Sequence, residues 1–209
     1  IILATIVVAL LFKRRNIPVD WTLDLLLCIL PLGIIGARTF YVVTDPSTDI
    51  SEWLTGFRDG GLSIIGGVCG GALGVVLFCL IHKINFLRVA DCLLPGVILA
   101  QGIGRWGNFV NQEVYGGVVT NEALQWFPFA VFIDKVQEWH YAFFFYESML
   151  NLIVFALLFT FMWKFFKKPN GLALCGYLFA YGTTRSVMEP LRDGEFILGS
   201  NIPVSQVMA

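Results

Sequence analysis

The sequence predicts an all-α fold, a polytopic membrane helical bundle of about seven transmembrane helices with a small polar segment on its outer face. Of the 209 residues, 57% are hydrophobic and 14% are charged, whereas a soluble domain carries about 25% charged residues. The apolar residues also gather into runs of the roughly 20 residues that a helix needs to cross a bilayer. We therefore expect a single integral membrane domain over residues 1–209.

The predicted helices follow from the apolar runs in chain order. We expect the first and last helices to be truncated, because the chain begins and ends within apolar sequence. Residues 111–140, between the fourth and fifth helices, mix polar and aromatic side chains, which predicts an arm or head segment at head-group level. The expected helices cover residues 1–12, 21–43, 62–81, 89–109, 141–166 and 172–188, with a seventh starting near Pro203.

The distribution of lysine and arginine predicts the orientation in the membrane, because cytoplasmic loops carry an excess of these residues. One set of predicted loops holds eight of them, and the opposite set holds three, Arg58, Lys135 and Arg192. The first set is expected to be cytoplasmic. The N-terminus and the segment 111–140 are then expected on the outer side.

Several classes of function find no support in the sequence. The net charge of −1 gives no reason to expect a nucleic-acid partner. The five cysteines lie in apolar segments without disulfide or metal-site spacing, so we interpret them as small core residues. His82 and His140 fall on opposite sides of the predicted membrane and offer no metal ligand set. We expect no metal and no cofactor.

The end of the predicted fourth helix departs most from an ordinary membrane helix. Gln101, Arg105 and Asn108 recur at spacings of four and three residues, so they share one helix face. An arginine inside the membrane costs about 3 kcal/mol even on insertion scales, and it usually faces a cavity or a partner. Two interpretations stay open, a ligand-binding site or an internal ion pair of Arg105 with Glu147.

The sixth helix carries a second polar face, formed by Tyr181, Arg185 and Glu189 at spacings of four, with Arg192 following by three. Pro190 predicts that regular helix ends near Glu189. An ordinary Arg–Glu pair along the helix is the alternative, although it is less expected at a bilayer edge than in water. Guanidinium groups suit bidentate phosphate recognition, so arginines arriving from two helices favour a phospholipid head group.

Three further features allow both a structural and a functional interpretation. Arg38 either snorkels to outer head groups or lines a polar pocket. Gly60, Gly61 and Ser63 precede a helix whose free N–H groups could meet an anion, although the lysine of a phosphate loop is absent. His140 is expected to be an interfacial hydrogen-bonding residue rather than a base.

Glycines are frequent on the predicted third and fourth helices. Those at 66, 70 and 74 fall on one helix face, which favours close packing against a neighbouring helix. Those at 102, 104 and 107 leave room for a close neighbour or for a bulky ligand.

One segment resembles the signature of the bacterial prolipoprotein diacylglyceryl transferases. It runs from Gly104 to Glu113 with the sequence Gly-Arg-Trp-Gly-Asn-Phe-Val-Asn-Gln-Glu, and Gly116 follows it. The resemblance extends to segments in the expected order over nearly the whole chain: Gly36-Ala37-Arg38, Gly60-Gly61-Leu62-Ser63 with Gly66-Gly67, Phe145-Tyr146-Glu147-Ser148, and Tyr181 to Arg192.

The resemblance implies a multi-pass enzyme of the bacterial cytoplasmic (inner) membrane with seven helices, its N-terminus outside and its active site toward the outer face. Such an enzyme moves the diacylglyceryl group of phosphatidylglycerol, within the lipid bilayer, onto the lipobox cysteine at the signal peptide of a prolipoprotein and leaves glycerol phosphate. The alternatives are a phospholipid-binding protein without turnover, or a transporter. The sequence has neither the inverted repeats nor the paired broken helices that favour a transporter.

The matched motifs also imply residue roles. Arg105 and Arg185 are the expected phosphate clamp, and Asn108 and Tyr181 are expected to supply hydrogen bonds. Glu113 and Glu189 are expected to orient the arginines or to accept the thiol proton. The remaining matched positions are expected to bind substrate: Arg38, Gly60, Gly61, Ser63, Asn111, Gly116, His140, Glu147 and Arg192.

Two positions depart from the family pattern. Ile65 stands where relatives often carry histidine or, in some members, tyrosine, so a histidine base at that position is excluded here. The thiol then needs no dedicated side-chain base, or His140 or a glutamate serves. The fifth helix is entered through His140-Tyr141-Ala142, where many relatives place His-Pro.

Overall fold

A computed structural model describes residues 1–44, 53, 61–165, 170–188, 197–198 and 202–203. The structure is mostly helical, with two short antiparallel hairpins and a 3-10 turn at Glu122–Leu124. Its helices within these residues are α1 (Ile2–Arg14), α2 (Trp21–Thr44), α3 (Ile64–His82), α4 (Phe86–Asn111), α5 (Phe143–Lys164) and α6 (Leu172–Met188). The hairpins pair β1 (Ala130–Ile133) with β2 (Glu138–Tyr141) and β3 (Ile197–Leu198) with β4 (Ile202–Pro203).

The helical membrane class is confirmed in its coarse form. In the described part of the chain, the four helices α2 to α5 are long and apolar enough to cross a membrane. The predicted start of the fifth helix at 141 is wrong, because Tyr141 pairs with Ala130 in the first hairpin. Pro203, where a seventh helix was expected to start, lies in β4. The count of seven and the truncated ends stay predictions.

The chain divides into two compact units. The N-terminal unit comprises Ala9–Ala90, and the C-terminal unit comprises Ile1–Val8 with Asp91–Ala209.

Glycines join α2 and α3 in the N-terminal unit. A Cβ atom on Gly66 would overlap the carbonyl oxygen of Gly36, and one on Gly70 would overlap that of Leu32. A Cβ on Gly74 would lie 2.6 Å from the Cys28 oxygen. The predicted packing role of these α3 glycines is confirmed, since only a residue without a side chain allows the two backbones to approach so closely.

Substituting Gly70 by alanine is expected to destabilise the protein by about 1–3 kcal/mol, because the added methyl group meets backbone that cannot move aside. Thermal unfolding in detergent measures this as a lower midpoint. Gly71→Ala is the matched control, since its Cβ would meet only the Ile29 side chain, at 3.8 Å. Equal midpoints for the two variants would contradict the packing role.

In the C-terminal unit, α5 packs against α4 through small and polar groups. The Ser148 hydroxyl donates to the carbonyl oxygen of Gly102 at 2.8 Å and accepts from the Trp106 indole at 3.1 Å. Trp106 also meets the Phe144 ring edge to face, and Phe144 stacks on Phe109. These contacts fix the rotation of α4 about its axis, and therefore the direction in which its polar face points.

A buried carboxylate joins α4 to the start of α6. Asp91 is fully buried and accepts hydrogen bonds from the backbone N–H groups of Gly171, Ala173 and Leu174 at 2.8, 3.0 and 3.2 Å. The first N–H groups of a helix have no partner within the helix and favour negative charge. Asp91 therefore caps α6 from a distant position in the sequence.

The predicted arm between α4 and α5 is a small β-structure. Strands β1 and β2 pair over four residues each, and Val118 bridges to His140 at the other edge of β2. Exposed aromatic side chains cover this segment: Trp126, Phe127, Phe129 and Phe132. The amphipathic indole of Trp126 favours a position at head-group level.

Candidate functional site

Arg105 is held by a buried glutamate. Its Nε atom lies 2.5 Å from Oε2 of Glu147 on α5, and the Glu147 side chain is 3% exposed against 23% for Arg105. The ion pair that the sequence left as one of two interpretations is therefore present. A guanidinium presents five N–H donors, so binding one carboxylate leaves others for a second acceptor. The pair fixes the arginine while its outer part stays accessible.

A hydrogen bond joins the polar faces of α4 and α6. Gln101 Nε2 donates to the Tyr177 hydroxyl at 2.9 Å, and Tyr177 stacks on Tyr181 with ring centroids 5.9 Å apart. Asp91 contacts the first turn of α6, so the two contacts occur in the same order along both helices. It follows that α4 and α6 run in the same direction.

Because the two helices run in the same direction, Arg105 and Arg185 both lie on the C-terminal side of the Gln101–Tyr177 hydrogen bond. At 1.5 Å per residue, Arg105 lies ~6 Å along α4 from Gln101, and Arg185 lies ~12 Å along α6 from Tyr177. An arginine side chain bridges such an offset when it extends along its helix. The two polar motifs therefore lie toward the same end of the parallel helices α4 and α6.

The surface of α4 beside Arg105 is open. Among the described residues, no atom lies within 4 Å of a Cβ built on Gly104 or Gly107, whereas one on Gly102 meets Asn151 at 3.3 Å. Gly104 and Asn108 are neighbours on the helix surface because they are four residues apart. Of the two predicted uses of these glycines, Gly102 serves a close neighbour, and Gly104 and Gly107 leave space.

His140 has a structural role in the arm. Its Nδ1 atom lies 2.7 Å from the carbonyl oxygen of Gly116, so Nδ1 carries the hydrogen, because a carbonyl only accepts. The other ring nitrogen, Nε2, is buried and lies 3.7 Å from Oε2 of Glu138. A substrate thiol has no access to Nε2 in this arrangement, which favours the hydrogen-bonding interpretation over a base.

Gly116 is a packing position in the same segment. A Cβ atom there would lie 2.7 Å from the Phe143 ring, and the backbone N–H donates to Tyr141 at 3.0 Å. Its carbonyl oxygen is the acceptor for His140. The predicted substrate-binding position is thus occupied by contacts that close the arm onto the start of α5.

The end of α4 is tied to the arm by a residue that the sequence prediction missed. Gln112 donates to Asp134 at 2.5 Å and accepts from the backbone of Lys135, whose ammonium binds the Asn111 carbonyl oxygen at 2.7 Å. The Asn111 and Glu113 side chains are exposed, and Asn108 is half-buried. Gln112 could have been found from its position, because it is a polar residue within the signature segment, directly after the end of α4.

Arg38 belongs to the N-terminal unit and is 2% exposed. Its Nε atom donates to the carbonyl oxygen of Trp53 at 3.1 Å, and its Nη1 atom donates to that of Gly61 at 3.0 Å. Snorkelling to head groups is therefore wrong for this residue, since the guanidinium binds backbone oxygens inside the fold. The contacts hold Trp53 and Gly61 against α2.

Gly61 and Ser63 are shaped by these contacts. Gly61 has a φ of +80°, and a Cβ there would lie 2.7 Å from Arg38 Nη1, so only glycine fits without strain. The Ser63 N–H donates to the Ala37 carbonyl oxygen at 3.0 Å and is not available to an anion. Ile65, in the first turn of α3, is exposed. The predicted site residues Gly60, Glu189 and Arg192 lie outside the described residues.

Comparisons with known proteins match this chain over its whole length. A model of the family described as prolipoprotein diacylglyceryl transferase matches residues 1–209. The chain belongs to this family. Two relatives named phosphatidylglycerol–prolipoprotein diacylglyceryl transferase, from Clostridium perfringens and Finegoldia magna, are each 36% identical, and the matches cover all of this chain and 80% and 81% of the relatives. A third so named, from Lactococcus lactis, is 38% identical over 89% of this chain and 72% of its own length.

Membership of a transferase family does not favour the alternatives of a transporter or a lipid-binding protein without turnover. Arg105 lies inside the signature segment and pairs with Glu147. Gln101 and Asn108 share its helix face, and Gln101 links this face to Tyr177, which stacks on Tyr181.

Proposed function

We propose that this chain transfers the diacylglyceryl group of phosphatidylglycerol to the lipobox cysteine of a prolipoprotein, in the bacterial cytoplasmic membrane. The observation that carries the proposal is Arg105, fixed by buried Glu147 beside the open surface at Gly104. The departure of phosphate from a bound lipid requires a preorganised cation with space for the lipid beside it. The names of the 36–38% identical relatives support both substrates.

The reaction forms one bond and breaks one. The cysteine sulfur attacks the glyceryl carbon that carries the phosphate, a carbon–sulfur bond forms, and the carbon–oxygen bond to phosphate breaks. The thiol proton goes to a base or to solvent, and glycerol phosphate departs as an anion. A thiol is already a few per cent thiolate at neutral pH, and neighbouring cations lower its pKa further, so a strong base is not required.

The main demand is stabilisation of charge on the leaving phosphate. Arg105 and Arg185 meet this demand by binding the phosphate together as a clamp. Electrostatic stabilisation of this kind supplies the largest part of the rate enhancement in many enzymes. Glu147 acts as a positioning residue that orients Arg105, rather than as a direct substrate ligand. Asn108 and Tyr181, next to the arginines on their helices, supply hydrogen bonds to the head group.

The thiol proton is assigned to a glutamate or to solvent, not to His140. Glu113 is exposed just beyond the end of α4, where it can reach the aqueous boundary, and Glu189 follows Arg185 by one helical turn in the sequence. His140 and Gly116 instead keep the arm in place. We place the arm and the arginines on the outer side of the membrane, with the N-terminus also outside.

Filling the space beside Arg105 is expected to block the lipid. Gly104→Leu should lower the transfer rate about tenfold or more, because the leucine side chain would fill the open space next to Asn108, while Gly104→Ala should stay within about threefold. Initial rates with unfolding midpoints for both variants check this. A fully active Gly104→Leu enzyme would contradict a lipid position at this face.

The direct test of the function uses purified protein in detergent with phosphatidylglycerol and a synthetic lipobox peptide, and mass spectrometry detects the thioether product. Phosphatidylcholine replaces the lipid in one control, and a peptide with serine in place of cysteine is the other. Product is expected only with phosphatidylglycerol and the cysteine peptide. Binding of phosphatidylglycerol without any product would instead favour a non-catalytic lipid-binding protein.

A further inference from the structure

A polar cleft lies in the N-terminal unit, and its lining includes none of the residues assigned to transfer. It has a volume of about 290 Å³ and is formed by the loop between α1 and α2 and the loop between α3 and α4. Its lining includes the cations Lys83 and Arg88 and the amides Asn16 and Asn85. Among the residues that the structure describes, no acidic side chain lines the cleft.

Two structural features keep the cleft cationic. Arg88 donates from Nη2 to the Arg15 carbonyl oxygen at 2.5 Å, which fixes its guanidinium in the wall. Asp24, the nearby carboxylate on α2, lies 3.3 Å from Nε2 of His82 and does not line the cleft. The Lys83 ammonium has no hydrogen bond or ion pair within the described part of the chain. Among the described residues, the cleft is therefore lined by cations, and the Asp24 carboxylate lies behind His82.

The rest of the lining is aromatic or apolar. The Trp21 ring packs against His82 with centroids 4.2 Å apart and planes tilted by 39°, and Ile17, Pro18 and Ile84 complete the wall. Both loops turn tightly, because Asn16 and Lys83 adopt left-handed backbone conformations with φ of 54° and 51°. The N–H groups that follow these two residues bond back to Phe12 and Cys79.

The position of the cleft relative to the helices points to a lipid. It opens where α3 ends and where α2 and α4 begin, and these three helices are apolar enough to cross a membrane. A cleft at the ends of spanning helices lies at head-group depth. Basic pockets between helices on the lysine-rich side of membrane proteins bind anionic lipid head groups.

We propose that this cleft binds the phosphate of an anionic phospholipid, with Lys83 and Arg88 on the phosphate and Trp21 and Ile17 beside the glycerol. The site is independent of the transfer reaction, since it uses none of the residues assigned to it. The general excess of lysine and arginine in cytoplasmic loops explains why these loops are positively charged. It does not explain why the charges line a concave cleft with an apolar wall.

The test is native mass spectrometry of the full chain, purified in an uncharged detergent and titrated with dioleoyl phosphatidic acid, with dioleoyl phosphatidylcholine as the zwitterionic comparison. Lys83→Asn is the main variant, because asparagine tolerates the left-handed backbone. Lys13→Gln is the matched control, since Lys13 is exposed in the last turn of α1 and does not line the cleft. Both variants keep Arg105 and Arg185, so lipid bound there is unchanged.

The wild type is expected to retain phosphatidic acid in preference to phosphatidylcholine. Lys83→Asn should weaken this retention about fivefold, Arg88→Gln should weaken it at least as much, and Lys13→Gln should leave it within twofold. Equal weakening by Lys83→Asn and Lys13→Gln would overturn the site in favour of diffuse surface charge. If millimolar inorganic phosphate displaced bound phosphatidic acid as effectively as added phosphatidic acid does, the assignment to a lipid would be overturned.

Discussion

Substituting Arg105 by lysine is expected to lower kcat/KM for diacylglyceryl transfer roughly 100- to 1,000-fold, the loss typical of removing one preorganised donor to a developing anion. Lysine keeps the charge but lacks the planar fork that lets one side chain bind a carboxylate and a phosphate together. Because Glu147 is buried, a lysine ammonium at this position is expected to pair with it and leave the phosphate. Steady-state rates with the lipobox peptide measure the loss.

The control for Arg105→Lys is Lys13→Gln, which changes an exposed charge in α1 and should keep the wild-type rate. Glu147→Gln separates positioning from binding. It retains a hydrogen-bond acceptor, so it should lower kcat less than Arg105→Lys and leave KM for the lipid nearly unchanged. Activity of Arg105→Lys within threefold of the wild type would contradict the clamp.

The second large effect is on stability. Asp91→Ala is expected to lower the free energy of unfolding by about 3 kcal/mol, because three backbone N–H groups at the start of α6 lose a charged acceptor inside the fold. Asp91→Asn should cost less, since the amide oxygen still accepts from Ala173 and Leu174. Thermal and denaturant unfolding in detergent, followed by tryptophan fluorescence, measure both changes.

Asp134→Ala is the control for Asp91, because Asp134 is an exposed carboxylate whose side chain accepts from Gln112. Its effect should stay within about 0.5 kcal/mol. An Asp91→Ala protein that unfolds at the wild-type midpoint would contradict the role of this carboxylate in holding α6 against α4.

Features that depend on local periodicity could be predicted from the sequence. The glycines at 66, 70 and 74 lie on the contact with α2, as their spacing indicates. Gln101 and Arg105 share a face of α4, and that face meets partners on α6 and α5. Apolar runs also placed the helices to within a few residues. In each case, the prediction depends only on residues that are close together along one helix.

Features that depend on distant partners were missed or misread. Asp91 stands inside an apolar run, and nothing near it in the sequence indicates that α6 begins beside it. Arg38 was expected to snorkel to head groups or to line a pocket, and its described acceptors include the backbone oxygens of Trp53 and Gly61. Side-chain patterns in a sequence do not indicate backbone acceptors. The β1–β2 hairpin was the missed local feature, since Ala130–Ile133 is a β-prone run before a polar turn.

We propose that Arg105 on α4 and Arg185 on α6 bind one phosphate, and a double-mutant cycle distinguishes this arrangement from two independent sites. Transfer rates are measured for Arg105→Lys, Arg185→Lys and the double variant. If both side chains hold the same leaving group, the double variant should be little slower than the slower single variant. Losses that multiply to within about twofold would show independent sites and contradict the clamp.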